Sequence, residues 1–368
     1  MHVFTRATAR RDAFSAEVVD PCRPSRCNCG IDRRGFLAGG AAALTAGLTG
    51  FVPKAGAQVT PPRIDVHAHL SPPGYIAELA PAGKILPATA NWSIASHLDE
   101  MDRAGISVSL LSVATPGVWM GDIAGSRRLA REANDFAAKL VQANPKRLGM
   151  FASLPLVDAE GSLAELAYSL DQLKADGVVL MTSYDGKYLG DPTYDSVFAE
   201  LNRRKMVVYI HPTLSACCVN IIPGIYENII EFGTDTTRAI ARWTFGGAAE
   251  KFPDIKMIWS HAGGTMPSLI ERFDWLETIP PYRGARPRTF RDQIREYYFD
   301  VAQASNPVSL TALKQLVPAS RIVFGTDYPF RTIAEHVKTL SDSKLFDEKE
   351  LAQVESGNMQ RLIPRLKT

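Results

Sequence analysis

Cysteine is scarce in this 368-residue chain, and so are net charge and long apolar runs. Three of the five cysteines, Cys22, Cys27 and Cys29, fall within the first 57 residues, which leaves Cys217 and Cys218, adjacent in sequence. Neighbouring thiols cannot staple distant loops, so a disulfide framework is excluded as the source of stability. The formal net charge is only +2, and residues 1–57 carry eight Lys/Arg against four Asp/Glu, so the remainder sits near −2. A body this close to neutral gives no electrostatic footing for nucleic acid or an anionic membrane. No internal repeat or low-complexity linker interrupts residues 58–368.

A sustained apolar run, 38–52, is short and rich in glycine and alanine. As a membrane anchor it would partition weakly into lipid. It follows Asp32-Arg33-Arg34-Gly35-Phe36-Leu37 and precedes Ala55-Gly56-Ala57, a small-x-small cleavage sequence. Paired arginines ahead of Phe-Leu are the twin-arginine export signal. The expectation is a leader over 1–57 handled by the twin-arginine export machinery, no membrane association after its removal, and a periplasmic or secreted mature chain over 58–368. Export of a folded chain suits a metalloprotein, because nitrogen and oxygen ligands alone would not exclude copper on affinity grounds.

What is present over the remaining residues is an alternation. Apolar, strand-like runs recur near 63–67, 107–113, 148–153, 177–181, 206–211, 256–261, 296–301 and 321–326, eight in number. Between most of them lie amphipathic patterns at 96–104, 126–144, 162–176, 194–204, 236–252 and 309–316. Strands alternating with helices imply a parallel sheet, and eight such units predict a (β/α)₈ barrel, an α/β fold whose active site lies at the C-terminal strand ends. Longer loops at 71–93 and 212–233 would rise over that face. Tyr75, Pro87 and Trp92 in the first loop suggest a lid for a flat substrate.

Although the chain has only seven histidines, several stand where an apolar run ends: Asp65-Val66-His67-Ala68-His69, Ile210-His211-Pro212 and Ser260-His261-Ala262-Gly263, joined by Gly325-Thr326-Asp327. Residues i and i+2 of a strand share a face, so His67 and His69 can grip one ion while later strands close the shell. The expected ligands are His67, His69, His211 and Asp327, holding one divalent cation, zinc first and manganese next. His261 is expected beside the ion as acid, base or clamp, and Asp65 behind a ligand. Gly263 and Gly264 would let substrate approach the backbone. His97 and His336 fall in amphipathic segments and read as solvated helix residues, while Cys217 and Cys218 read as packing.

These motifs, with His211-Pro212-Thr213, the Cys217-Cys218 pair, His261-Ala262-Gly263-Gly264 and Gly325-Thr326-Asp327-Tyr328-Pro329-Phe330, together resemble the amidohydrolase-related metal-dependent decarboxylases. That group includes aminocarboxymuconate semialdehyde decarboxylase, resorcylate decarboxylase and, closest in wording, 6-methylsalicylate decarboxylase. The resemblance implies a carbon–carbon lyase acting on a small aromatic carboxylic acid with an ortho hydroxyl, which would chelate the ion through its phenolic and carboxylate oxygens. It implies Asp327 as proton donor, His261 as its assistant, and a homo-oligomer. Two-metal relatives of this barrel type add a lysine or glutamate at the end of strand four, where this chain reads Met181-Thr182-Ser183, so one metal is expected. Some members hold the carboxylate with an arginine after strand one, but 71–102 contains none, leaving Arg272 and Arg238 as substrate-binding candidates. Hydrolysis of a lactone or amide by a metal-activated water is the alternative.

Overall fold

The structure, a computed structural model, describes residues 62–83 and 85–367. The segment 1–57, read as an export leader, lies outside the described residues. Eight parallel strands pair in sequence order: β1 (Arg63–Leu70), β2 (Ile106–Val113), β3 (Leu148–Ser153), β4 (Gly177–Met181), β5 (Val207–His211), β6 (Lys256–Trp259), β7 (Tyr298–Asp300) and β8 (Ile322–Val323). The eighth returns to the first through an Ala68–Tyr328 bridge and the bond from Val66 N to Phe324 O, 3.0 Å. The barrel expected from the periodicity is therefore present.

Helices α1 (Ile94–Ala104), α2 (Ile123–Ala143), α3 (Ala159–Ala167), α4 (Asp195–Arg203), α5 (Asn228–Phe245), α6 (Ile270–Leu276), α7 (Pro307–Lys314) and α8 (Ile333–Ser343) accompany the strands. Their starts are written in the sequence. Ser93, Asp122 and Asn306 each accept a bond from a first-turn amide, and Thr332 forms a reciprocal box with Glu335. The helix expected over 236–252 begins earlier, at Asn228, and breaks at Gly246-Gly247 before a short turn, Ala248–Lys251. Among the described residues no helix is long and apolar enough to cross a membrane.

Alternation along β1 decides where the chemistry goes. Ile64, Val66, Ala68 and Leu70 occupy one face, while Asp65, His67 and His69 occupy the other, and all are buried. The β1–β2 register shifts between Asp65 and Ala68, an irregularity of the kind that re-aims side chains next to sites. Strand eight is shorter than expected, because the chain leaves the sheet after Val323 and turns at Asp327, whose φ is +61°. Gly325 permits that departure: a Cβ there would lie 2.9 Å from the His67 Cβ.

The opposite end of the barrel is tied by ion pairs. Arg63, which opens β1, meets Glu355 at 2.7 Å, and Arg147, ahead of β3, meets Asp102 at 2.7 Å. Arg288 meets Glu296 at 2.8 Å ahead of β7, and Arg365 pairs with Asp176 ahead of β4.

Candidate metal centre

Four side chains from β1, the end of β5 and the turn after β8 converge. The Nε2 atoms of His67 and His69 lie 3.1 Å apart, and Asp327 Oδ1 lies 3.1 Å from the first and 2.9 Å from the second. The His211 ring stands 4.8 Å from that of His69 and 5.1 Å from that of His67, centroid to centroid. His67, His69, His211 and Asp327 present one ligand atom each within a mutual 4.8 Å.

The other side of every ring is already committed. Nδ1 of His67 donates to Asp300 Oδ2 at 2.9 Å, that of His69 to Ser112 O at 3.4 Å, and that of His211 to Pro212 O at 2.7 Å. A ring held through Nδ1–H keeps its Nε2 lone pair for a cation, the arrangement by which a surrounding shell orients metal-binding imidazoles. His261 repeats the pattern, with Nδ1 on Ala302 O at 3.0 Å and its ring 4.9 Å from His67.

Charge makes the same demand. Burial works against ionising Asp327 and Asp300, yet the neighbouring His67 and the bonds they receive hold both below the ordinary aspartate range, Asp327 well below it. Burial opposes charge on His67 too, but Asp327 and Asp300 outweigh it and carry its pKa to about 10. Burial and the adjacent imidazoles drive His211 well below its ordinary value. With no metal present, a proton on His67 thus balances part of the buried negative charge. A divalent cation fits this donor set of three imidazoles and one carboxylate better than a proton can, since it meets every facing atom at once.

Asp300 is the residue that the sequence reading missed. It ends β7, is fully buried, and accepts from Tyr209 Oη at 2.8 Å, His261 N at 2.9 Å and Ala302 N at 3.0 Å besides the His67 ring. Asp65 acts one layer lower than expected: it accepts from the His67 and Thr326 amides at 3.0 and 3.1 Å and from the Thr326 hydroxyl at 2.6 Å, fixing backbone rather than a ring. Non-glycine residues with positive φ gather here, at His261, Ala262, Gln303 and Asp327. Such backbone costs about 1–3 kcal/mol per residue and persists where surrounding contacts over-determine it.

Several expectations need correction. His97 and His336 are buried, not solvated. His97 accepts from Trp92 Nε1 at 3.3 Å and reaches Ser109 Oγ at 3.1 Å; His336 Nε2 accepts from the Gln303 amide at 3.0 Å, and the Gln303 side chain bonds Asp327. An amphipathic helix buries one stripe, and both rings fall on it. Trp92 packs against His97 and Phe136, and Tyr75 is buried with its hydroxyl on Ala114 O at 2.9 Å, so both rings are held by packing where the sequence suggested a lid. Gly264 serves helix packing rather than substrate approach, since a Cβ there would stand 2.0 Å from Gly233 O. Arg272 is exposed on α6, and the Arg238 guanidinium is drawn to Glu231 and Asp235, at 3.6 and 3.9 Å. Neither arginine contacts the cluster. Half-buried aromatic rings do: Phe330 lies 5.6 Å from His69 and Phe232 lies 6.3 Å from His211.

A parallel barrel that concentrates imidazoles and a carboxylate at its C-terminal strand ends defines a metal-dependent barrel enzyme. The chain belongs to the amidohydrolase family, whose pattern matches residues 64–365. It is 34% identical over 320 residues to 6-methylsalicylic acid decarboxylase of Penicillium expansum, covering 83% of this chain and 97% of that one. It is 35% identical over 326 residues to 6-methylsalicylic acid decarboxylase acuB of Aspergillus aculeatus, with the same coverage of each. A crystal structure of dihydroxybenzoic acid decarboxylase from Polaromonas, with bound manganese and the inhibitor 2-nitroresorcinol, shares the fold at a TM-score of 0.75 and 23% identity, covering 84% of this chain and 98% of that one.

Proposed function

We propose that this protein catalyses the metal-dependent, nonoxidative decarboxylation of an ortho-hydroxy aromatic acid, 6-methylsalicylate or a similar hydroxybenzoate. The observation that carries the reading is near-full-length similarity to decarboxylases of such acids, joined to a buried cluster of three histidines and one aspartate. His67, His69, His211 and Asp327 hold one divalent cation. Zinc suits the nitrogen-rich donor set; manganese is the second choice, and it is the ion in the Polaromonas structure. The same similarity displaces lactone or amide hydrolysis as a reading.

A bound cation would hold the carboxylate and phenolic oxygens of the acid and favour the ionised phenol, whose electrons assist protonation of the ring. The chain supplies the rest. Phe330 and Phe232 flank the aromatic ring and limit water. A proton is added at the ring carbon bearing the carboxylate, the bond to that carboxylate breaks, its electrons restore aromaticity, and carbon dioxide leaves. Asp327 carries the proton to that carbon. Because its carboxyl rests ionised, it must first be recharged, and His261 is suited to that: it faces the cluster and is the one partly exposed imidazole of the four. Arg238 and Arg272 stay as candidates for the carboxylate only if loop 212–233 or a second subunit presents them differently.

The mature enzyme is proposed to begin near Gln58 in the periplasm or outside the cell, as a homo-oligomer; the twin-arginine motif and cleavage sequence support the first point. Purified protein incubated anaerobically with 6-methylsalicylate and related hydroxybenzoates should release carbon dioxide and the matching phenol. Opening of lactones without decarboxylation of any acid in the series would sink the proposal. The mass of protein recovered from the exporting host tests the leader.

A further inference from the structure

Seven of the eleven large apolar side chains exposed among the described residues fall within 219–230, the loop that follows β5 and the start of α5. Ile229 is 75% exposed and Ile221 57%, with Ile222, Ile225 and Tyr226 near half. Together they bare several hundred Å², at or above what a monomer ordinarily leaves in one patch. An exposed apolar surface of this extent is unfinished in one copy.

We propose that residues 219–230 and the exposed side of α5 form the contact between two copies of this chain. This rests on the oligomeric reading above and assigns its surface. A two-fold axis doubles the buried patch, bringing it to the roughly 1,200–2,000 Å² of specific interfaces. An isologous contact sets the same patch of both copies face to face, and the apolar side chains of 219–230 make that patch self-complementary. An anionic lipid surface is the poorer occupant, because the only charged residues in 212–233 are Glu227 and Glu231, both acidic. The contact would also brace the wall of the site, since the same stretch runs from His211 to Phe232, which packs on the His211 ring.

Light scattering coupled to gel filtration tests this on the metal-loaded wild type and on Ile222→Glu and Ile229→Glu, exposed positions at which glutamate does not disturb the core. The wild type is expected at twice the chain mass or a higher even multiple, and each variant at half the wild-type mass, with circular dichroism and metal content unchanged. A monomeric wild type defeats the oligomeric reading itself. A wild-type oligomer whose mass both variants keep overturns this surface while leaving that reading intact. Co-sedimentation of a monomeric wild type with phosphatidylcholine vesicles, abolished by Ile229→Glu, would assign the patch to lipid instead.

Discussion

The two ends of the barrel treat charge in opposite ways. Where the strands begin, four arginines meet carboxylates of the chain: Arg63 with Glu355, Arg147 with Asp102, Arg288 with Glu296, Arg365 with Asp176. Where they end, Asp300 and Asp327 meet imidazoles and neutral donors and pair with no lysine or arginine among the described residues, and strained backbone collects around them. The first end closes its accounts with residues of its own and contributes stability; the second leaves a place for an ion from outside, and chemistry follows from that deficit.

Substitutions at each end should separate these roles. The largest effect belongs to His211→Ala, which removes a ligand: bound metal, measured by plasma emission, and carbon dioxide release should vanish together while far-ultraviolet dichroism stays native. Next comes His261→Ala, expected to keep the ion and slow turnover by roughly 100-fold or more, the scale of a positioned acid or base. Equal metal loss would reassign His261 as a ligand. Asp300→Asn should weaken metal affinity or activity by about 10–100-fold, as loss of a ring-orienting partner does. At the other end, Arg63→Ala should lower stability by about 1–3 kcal/mol through the half-buried pair with Glu355, with kcat unchanged. A large kcat loss there would erase the distinction between the ends.

The metal site also dictates a pH dependence. The metal-free His67 pKa of about 10 stands above its ordinary 6.5, so its proton stays bound until pH rises through 10. A cation must displace that proton at any lower pH. Apparent metal affinity should therefore climb with pH by up to about tenfold per unit until that range, with proton release seen calorimetrically in buffers of different ionisation enthalpy. A flat affinity profile between pH 6.5 and 9 would show that His67 is neutral in the metal-free protein.

Much of this was legible in the sequence for a physical reason. Parallel strands buried on both faces read as continuous apolar runs, and a histidine that ends such a run stands out, as His211 and His261 do. Asp300 ends one too, after Tyr297-Tyr298-Phe299, but a single aspartate leaving a strand looks like any loop aspartate until its four hydrogen bonds are seen. His97 and His336 misled because helical periodicity locates a stripe only coarsely, and both lie inside it. Trp92 misled because loop position does not reveal what a ring packs against. The contact between Gly264 and Gly233 joins segments about thirty residues apart, which no local pattern announces.

The most direct measurement is a titration of chelator-stripped protein with zinc or manganese while carbon dioxide release from 6-methylsalicylate is followed. The account predicts no release without metal and a linear rise that ends at one equivalent per chain. Turnover by the stripped protein, or a rise that continues to two equivalents, would contradict it.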